Sequence, residues 1–287
     1  MTMDDHEPVT LPVAGAIYNG ESGGPAIRTV DLTRSFGDLV AVDAVTIEVH
    51  TKEIFGLLGP NGAGKSTMIK LLTTLLLPTA GAAWVAGFDV TAEPDRVRHH
   101  IGYVPQALSA DGALTGLENL LVSARLYHLP PAQRARRIDD ALELVGLSDA
   151  AGQLVRQYSG GMIRRLEIAQ AMLHRPAVLF MDEPTVGLDP VARQAVWEHV
   201  RRLRAAFGTT LLITTHYMEE AEELCDRVAM MHHGRVAVVG SPRDLKAQVG
   251  AGATLDDVFM HFAGTGVDSR GGYREVLRTR RTARRLS

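Results

Sequence analysis

One nine-residue stretch, Gly59 to Thr67, constrains the fold of this chain more than any other part of its sequence. It follows the apolar run Ile54 to Leu58 and leads directly into Met68 to Leu77, so it predicts a loop between a strand and a helix. Glycines in such a loop let successive backbone amides turn towards one anion, and the following helix adds the positive end of its dipole. The stretch therefore predicts a phosphate-binding loop in an α/β fold.

The side chains of this loop suit a nucleotide and its metal ion. Lys65 supplies a positive charge to the outer phosphates, and Ser66 offers a hydroxyl ligand to Mg²⁺. The residues predicted to bind the nucleotide here are Gly59, Pro60, Asn61, Gly62, Ala63, Gly64, Lys65, Ser66 and Thr67. The structural alternative is a glycine-rich turn before an ordinary helix. The motifs in the rest of the chain distinguish this alternative from a phosphate-binding loop.

Composition limits the class of protein. The chain has 287 residues, of which 46% are hydrophobic and 22% charged, as expected for one large globular α/β domain with extensions. A single cysteine excludes a disulfide framework within the chain and suits the cytosol. No apolar run approaches the roughly 18 residues that a membrane span needs. We therefore expect a soluble chain whose membrane role, if any, comes through a partner.

The two ends of the chain differ from its middle in composition. Residues 1–25 are rich in glycine, proline and acids and are predicted to form a disordered leader. Residues 270–287 hold seven arginines and one glutamate, although the whole chain has a net charge of -3. A basic tail on an acidic body favours a tether or docking element over a nucleic-acid surface, and a solvated disordered tail remains the alternative.

Two alternating stretches before the loop, Ala26 to Phe36 and Val40 to Val49, predict a β-hairpin with its turn at Gly37 and Asp38. Phe36, at the end of the first strand, could stack on a nucleotide base, although an aromatic residue near a turn more often belongs to the core.

The middle of the chain predicts a helical insert. A short strand, Ile101 to Val104, runs into Gln106, and the pattern then changes to a helical period. Thr115 and Glu118 have the spacing of a capping box, before an apolar face that starts at Leu117. The insert returns through Ser159, Gly160 and Gly161 into another helix. A serine and two glycines at a helix start predict a second anion site, about 100 residues after the first.

Further candidate residues follow two apolar runs. Val178 to Met181 predicts a buried parallel strand that ends in two adjacent acids, Asp182 and Glu183. The first acid can hold Mg²⁺ together with Ser66, and the second can orient and deprotonate a water molecule. Leu211 to Thr215 predicts another strand, which delivers His216 to the sheet edge where ligands bind in open α/β folds.

The order and spacing of these motifs resemble those of the nucleotide-binding subunits of ABC transporters, over roughly residues 26–245 with a helical insert at about 107–165. The resemblance implies a P-loop NTPase core with a mostly parallel sheet, an N-terminal antiparallel β subdomain and a helical signature subdomain. Residues 246–287 would then form a C-terminal extension with the basic tail.

The same resemblance assigns roles to residues. Lys65 and Ser66 correspond to the Walker A pair, Asp182 to the Walker B acid and Glu183 to the catalytic base. The remaining matches are Gln106 as the Q-loop glutamine that also reaches the metal, Ser159 to Gly161 as the signature, Asp189 as the D-loop acid, His216 as the switch histidine and Phe36 as the adenine-stacking residue. Met162 departs from the family pattern, because many members have glutamine there.

The resemblance also implies ATP and Mg²⁺ as ligands and a homodimer in which each chain closes over the ATP of the other. A separate transmembrane permease would place the subunit on the cytoplasmic face of the membrane. Segments such as Leu72 to Val90 and Thr254 to Phe259 resemble the daunorubicin-resistance type of exporter ATPase, and the second of these predicts a short helix with one apolar face. A drug or lipid-like substrate is therefore expected.

Two other classes are weighed against this interpretation. A non-transport ABC ATPase that acts on nucleic acid or ribosomes would be expected to have a second phosphate loop or a long coiled-coil insert. The sequence has neither of these features. A P-loop kinase or GTPase would need no second anion site at a helix start. We therefore expect no nucleic-acid partner.

Overall fold

The computed structural model describes residues 24–264. The basic tail, and all of the predicted leader except residues 24 and 25, lie outside this range. Within it, the strands in chain order are β1 (Ile27–Phe36), β2 (Leu39–Val45), β3 (Glu48–Val49), β4 (Ile54–Leu58), β5 (Ala80–Val85), β6 (Phe88–Asp89), β7 (Ile101–Val104), β8 (Val178–Asp182), β9 (Thr210–Thr215), β10 (Arg227–His232) and β11 (Arg235–Gly240).

The α-helices of the same range alternate with these strands or follow them. They are α1 (Lys65–Leu72), α2 (Pro94–His100), α3 (Gly116–Leu126), α4 (Pro131–Leu144), α5 (Gly160–Met172), α6 (Pro190–Phe207), α7 (Met218–Leu224), α8 (Pro242–Val249) and α9 (Leu255–Phe262).

An antiparallel sheet forms the N-terminal part of the described chain. Its strands run in the order β2, β1, β5 and β6, with β3 also paired to β1. The predicted hairpin is present, and Gly37 adopts φ 57° at its turn. The predicted second strand is divided into β2 and β3, because Thr46 and Ile47 leave the ladder and β3 pairs with the opposite end of β1.

A six-stranded sheet, in the order β11, β10, β4, β9, β8 and β7, carries the centre of the fold. All its neighbouring strands are parallel except the antiparallel pair β10 and β11. Every residue of β4, β8 and β9 is buried, as expected for parallel strands covered on both faces. Since parallel strands end at one edge, the residues that follow β4, β8 and β9 meet there.

The helices α3 and α4, which lie within the predicted insert, pack with α5 around a core of their own. Thr115 and Glu118 make both hydrogen bonds of the predicted capping box at the start of α3. Leu120 and Ala124 lie in this core, but Leu117 is 45% exposed, so its prediction as part of the buried face was wrong. Leu117 lies in the first turn of α3.

The helix α9 confirms the prediction from Thr254 to Phe259. Thr254 and Asp257 form its capping box, and Leu255, Val258 and Phe259 are buried. These side chains pack into the core that lies beneath α6, α7 and α8, so the apolar face of the helix is covered by the subunit itself.

Candidate nucleotide-binding site

The phosphate loop connects β4 to α1, as predicted. Two of its glycines have a positive φ, and they differ in how closely other atoms approach them. Gly64 has φ 106°, and a Cβ atom there would lie 2.3 Å from the carbonyl oxygen of Ala41. Gly62 has φ 79° with nothing within 4 Å of its Cβ position, and it is exposed. The loop is therefore pressed against β2 on one side and open on the other, where an anion can approach the backbone.

Lys65 and Glu183 form a buried ion pair at the centre of the site. The Lys65 Nζ lies 3.1 Å from Glu183 Oε1, and the two side chains are only 4% and 6% exposed. The same ammonium donates to the carbonyl oxygens of Gly59 at 2.9 Å and Pro60 at 3.2 Å. The helix start and the end of β8 thus bring together the two residues that the sequence predicted to act on phosphate and on water.

A second group of oxygen atoms surrounds Asp182. Ser66 Oγ donates to Asp182 Oδ1 at 3.1 Å, and Thr214 Oγ1 donates to the same oxygen at 2.5 Å. A carboxylate beside hydroxyl groups is the hard-oxygen donor set that Mg²⁺ prefers, so these residues fit the ion that the sequence implied. Sequence reasoning missed Thr214, although its pairing with Asp182 in the β8–β9 register follows from parallel strands that both end at the site.

The backbone of Glu183 is held in an unusual conformation. Its φ is 47°, in the left-handed region that a glutamate rarely adopts. The Glu183 N–H donates to Thr214 Oγ1 at 3.0 Å, and the Thr214 carbonyl oxygen lies 3.1 Å from the same nitrogen. Strained residues of this kind concentrate at functional sites, where the surrounding structure fixes them.

The other carboxylate oxygen of Glu183 faces the two remaining candidates of this cluster. Gln106 Nε2 donates to Glu183 Oε2 at 3.4 Å, and His216 Nδ1 lies 3.2 Å from the same oxygen without the geometry of a hydrogen bond. The Tyr103 hydroxyl, near the same edge, has its pKa raised by burial and by the charge of Asp182. The structure therefore collects Lys65, Ser66, Asp182, Gln106 and His216 around Glu183.

The remaining candidates lie apart from this cluster. Ser159 caps α5, with its Oγ accepting from Met162 N at 3.3 Å, and Asp189 caps α6. A Cβ atom at Gly160 would lie 3.4 Å from Leu188, so the starts of these two helices are neighbours. Among residues 24–264, no hydrogen bond or ion pair joins Ser159, Gly160, Gly161 or Asp189 to the phosphate loop. Ser159, Gly160 and Asp189 form a second, exposed surface, and Gly161 is buried beneath it against Ala192.

Phe36 lies at the tip of the β1–β2 hairpin and is 44% exposed. The Arg34 guanidinium lies 4.6 Å from the centre of its ring. An exposed ring of this kind can stack on a planar base.

Glu220, on α7, is a buried carboxyl outside the predicted site residues. It is 1% exposed and accepts hydrogen bonds from Thr185 Oγ1 at 2.8 Å and Trp197 Nε1 at 3.0 Å. Burial raises its pKa, against the hydrogen bonds that lower it. Its partners come from other parts of the chain, so only the tertiary structure reveals that this acid is buried.

The described residues contain neither a cluster of metal-ligating side chains nor a membrane-spanning helix. Within residues 24–264, no group of three or more histidine, cysteine, aspartate or glutamate side chains is arranged to hold a metal ion. None of the helices in that range combines the length and apolar character needed to cross a membrane.

Known proteins match this chain over most of its length. A profile of the ABC transporter family matches residues 42–186. The daunorubicin/doxorubicin resistance ATP-binding protein DrrA of Streptomyces peucetius is 46% identical over 79% of this chain and 68% of its own length. The Nod factor export ATP-binding protein I of Sinorhizobium fredii is 44% identical over 77% of this chain and 64% of its own.

Solved structures give the same result for the fold. An ATP-binding subunit of an ABC transporter superimposes with a TM-score of 0.74 at 32% identity, over 83% of this chain and all of that one. The antiparallel sheet, the mostly parallel sheet and the helical insert are thus the expected parts of this fold.

Proposed function

The chain belongs to the ABC transporter family, in which it is an ATP-hydrolysing subunit of the exporter type, and we propose that it drives the export of an amphipathic drug or lipid-like compound through a separate membrane permease. The observation that carries the proposal is the cluster around Glu183, where a phosphate loop, two strand-end acids, a glutamine and a histidine converge.

In the proposed reaction, Lys65 and the amides of Gly59 to Thr67 hold the phosphates of ATP. Mg²⁺, when bound by Ser66 and Asp182 with Gln106 nearby, supplies positive charge that offsets the charge of the phosphates. Glu183 orients a water molecule and accepts its proton as the water oxygen bonds to the γ-phosphorus and the bond to the β–γ bridging oxygen breaks. His216 contacts the γ-phosphate from the end of β9.

The Lys65–Glu183 ion pair gives this scheme a switch. One ammonium group cannot neutralise both the buried carboxylate and the phosphates, so we propose that ATP draws Lys65 away from Glu183 Oε1. Glu183 Oε1 is then free to accept a hydrogen bond from the attacking water molecule.

The exposed surface of Ser159, Gly160 and Asp189 fits a site that a second chain completes. The helix start at Ser159 has free amides and a favourable dipole for an anion, but it lies apart from the phosphate loop of its own chain. We propose a homodimer in which this surface closes over the γ-phosphate held by the partner, while Phe36 stacks on adenine. The dimer would lie on the cytoplasmic face of the membrane, bound to the permease.

The substrate class rests on the names of the relatives and is tested by transport. Inverted membrane vesicles that contain the chain and its permease should accumulate doxorubicin in an ATP-dependent way, and vesicles with Glu183→Gln should not. Equal accumulation by the two would rule out energy coupling at this site. ATP hydrolysis by the wild type that no amphipathic drug or lipid stimulates would remove the substrate assignment and leave the ATPase assignment intact.

A further inference from the structure

The helix α5, which begins at the Ser159 surface, contains an ion pair that the proposed reaction does not use. Arg164 Nη1 lies 2.9 Å from Glu167 Oε2, and the two side chains are 3% and 2% exposed. Burying both charges is costly unless further hydrogen bonds satisfy them. Arg164 and Glu167 therefore need further hydrogen-bond partners.

Both members of the pair bind the loop that contains Gln106. Arg164 Nη1 donates to the carbonyl oxygen of Pro105 at 2.6 Å, and Nη2 donates to that of Gln106 at 2.8 Å. Glu167 Oε1 accepts from Ser109 Oγ at 3.0 Å and from the Ser109 backbone amide. One planar guanidinium thus holds the start of the loop and one carboxylate holds its end.

Arg164 also interacts electrostatically with a residue of the nucleotide site. Burial lowers the pKa of Arg164, while the charges of Glu167 and Asp182 raise it, so the guanidinium lies within electrostatic reach of the proposed Mg²⁺ ligand. The Gln106 side chain, on the loop that Arg164 holds, reaches Glu183 Oε2 at 3.4 Å. Towards the start of α5, Arg164 lies five residues after Ser159, which is roughly 7.5 Å along the helix at 1.5 Å per residue.

We propose that Arg164 and Glu167 are positioning residues that fix the Gln106 loop to the signature helix α5, so that Gln106 and the Ser159 surface move as one body. This inference rests on the proposed function, since it assigns the pair to the ATPase site. A neutral contact surface would pack the loop equally well, but only the bridged pair locks both of its ends to one helix.

The replacement Arg164→Met with Glu167→Leu tests this proposal without leaving a charge buried alone. Apolar residues of similar size commonly replace a buried ion pair with little loss of stability, so we expect a melting temperature close to that of the wild type. The hydrogen bonds to the loop are lost, and kcat should fall roughly 10-fold or more, the scale at which misplaced catalytic groups act. The KM for ATP should change by less than about twofold, because the phosphate loop is untouched.

Two further variants separate positioning from general packing. Arg137→Met removes another half-buried arginine of the helical insert, whose Nη1 donates to the Leu173 carbonyl oxygen at 3.4 Å, and it should leave kcat unchanged. Arg164→Lys keeps the charge next to Glu167 but cannot span two carbonyl oxygens as a planar fork, so kcat should fall while the protein stays folded.

A spin label on the loop provides a readout that does not depend on hydrolysis. Leu108 is 52% exposed and lies between the two anchored ends, and the single cysteine of the chain, Cys225, is buried, so a label at Leu108→Cys is selective. The label should be more mobile in the double variant than in the wild type, and equally mobile in Arg137→Met and the wild type.

A folded double variant with wild-type kcat and unchanged label mobility would overturn the proposal. If the wild type hydrolysed no ATP, the proposed function would fail, but the label would still report whether the pair holds the loop.

Discussion

Glu183 combines a strained backbone, an ion pair with Lys65 and a second oxygen that faces Gln106 and His216. These contacts assign different work to two neighbouring charges. In the proposed reaction Lys65 holds the phosphates and Glu183 acts on the water molecule, so mutation should separate binding from hydrolysis.

Lys65→Ala should lose most of the affinity for ATP, because its ammonium is the only charged group of the loop. Glu183→Gln should bind ATP and hydrolyse it roughly 100-fold or more slowly, since an amide cannot accept the proton of the water molecule. Equilibrium nucleotide binding and steady-state hydrolysis measure the two effects. Lys70→Ala, on the exposed side of the same helix, is the control. Equal ATP binding by Lys65→Ala and the wild type would contradict the assignment.

His174 provides a prediction about pH. Its ring is 4% exposed, and its Nε2 donates to the Ile101 carbonyl oxygen at 2.9 Å. Burial lowers its pKa from 6.5 to about 4. The neutral form is thus favoured in the folded state, and this contribution to stability is present above pH 6.5 and is lost as the pH falls through about 4.

From pH 7 to pH 5 this histidine should reduce the free energy of unfolding by about 2 kcal/mol, because the unfolded chain gains a proton that the folded chain does not. Urea unfolding at the two pH values measures the loss. His174→Phe keeps a ring to stack on Tyr127 and should show a loss smaller by about that amount. The same pH dependence in the variant and the wild type would contradict the shift.

The elements differ in how far the sequence predicts them. The phosphate loop, the caps of α3 and α9 and the buried strands β8 and β9 follow from residues close together in the chain, and each is present. The helix α2 was not predicted, because only Val97 of its seven residues is buried and no apolar period marks it.

Buried charges were the least predictable feature of the sequence. Glu220 and the Arg164–Glu167 pair have side chains that usually face water, and their burial depends on partners from distant parts of the chain. In contrast, the convergence of Lys65, Asp182 and His216 was predictable, because each follows or ends a parallel strand and such ends share one edge of the sheet.

Phe259 is the anchor of α9. It is 3% exposed, and its ring meets that of His232 edge-on at 5.8 Å between centroids. Phe259→Ala should lower the free energy of unfolding by about 3 kcal/mol, through lost burial and the cavity that remains. His261→Ala, at an exposed position of the same helix, is the control for loss of a side chain. Chemical denaturation compares the two, and similar values would show that α9 adds little to the core.

For the molecule as a whole, the central claim is that one chain holds only part of each active site. The cluster around Glu183 and the surface of Ser159 to Gly161 lie on separate parts of the described fold, as two chains that share two ATP molecules would require. In the proposed dimer, opening follows hydrolysis, so a variant that binds ATP without hydrolysing it should remain closed.

Size-exclusion chromatography with light scattering measures this most directly. Glu183→Gln should be a dimer with ATP and Mg²⁺ and a monomer without nucleotide. Adding Ser159→Arg, which places bulk and charge in the proposed interface, should return it to a monomer while ATP binding persists. A Glu183→Gln protein that binds ATP yet remains monomeric, or a dimer that Ser159→Arg leaves intact, would contradict the shared site.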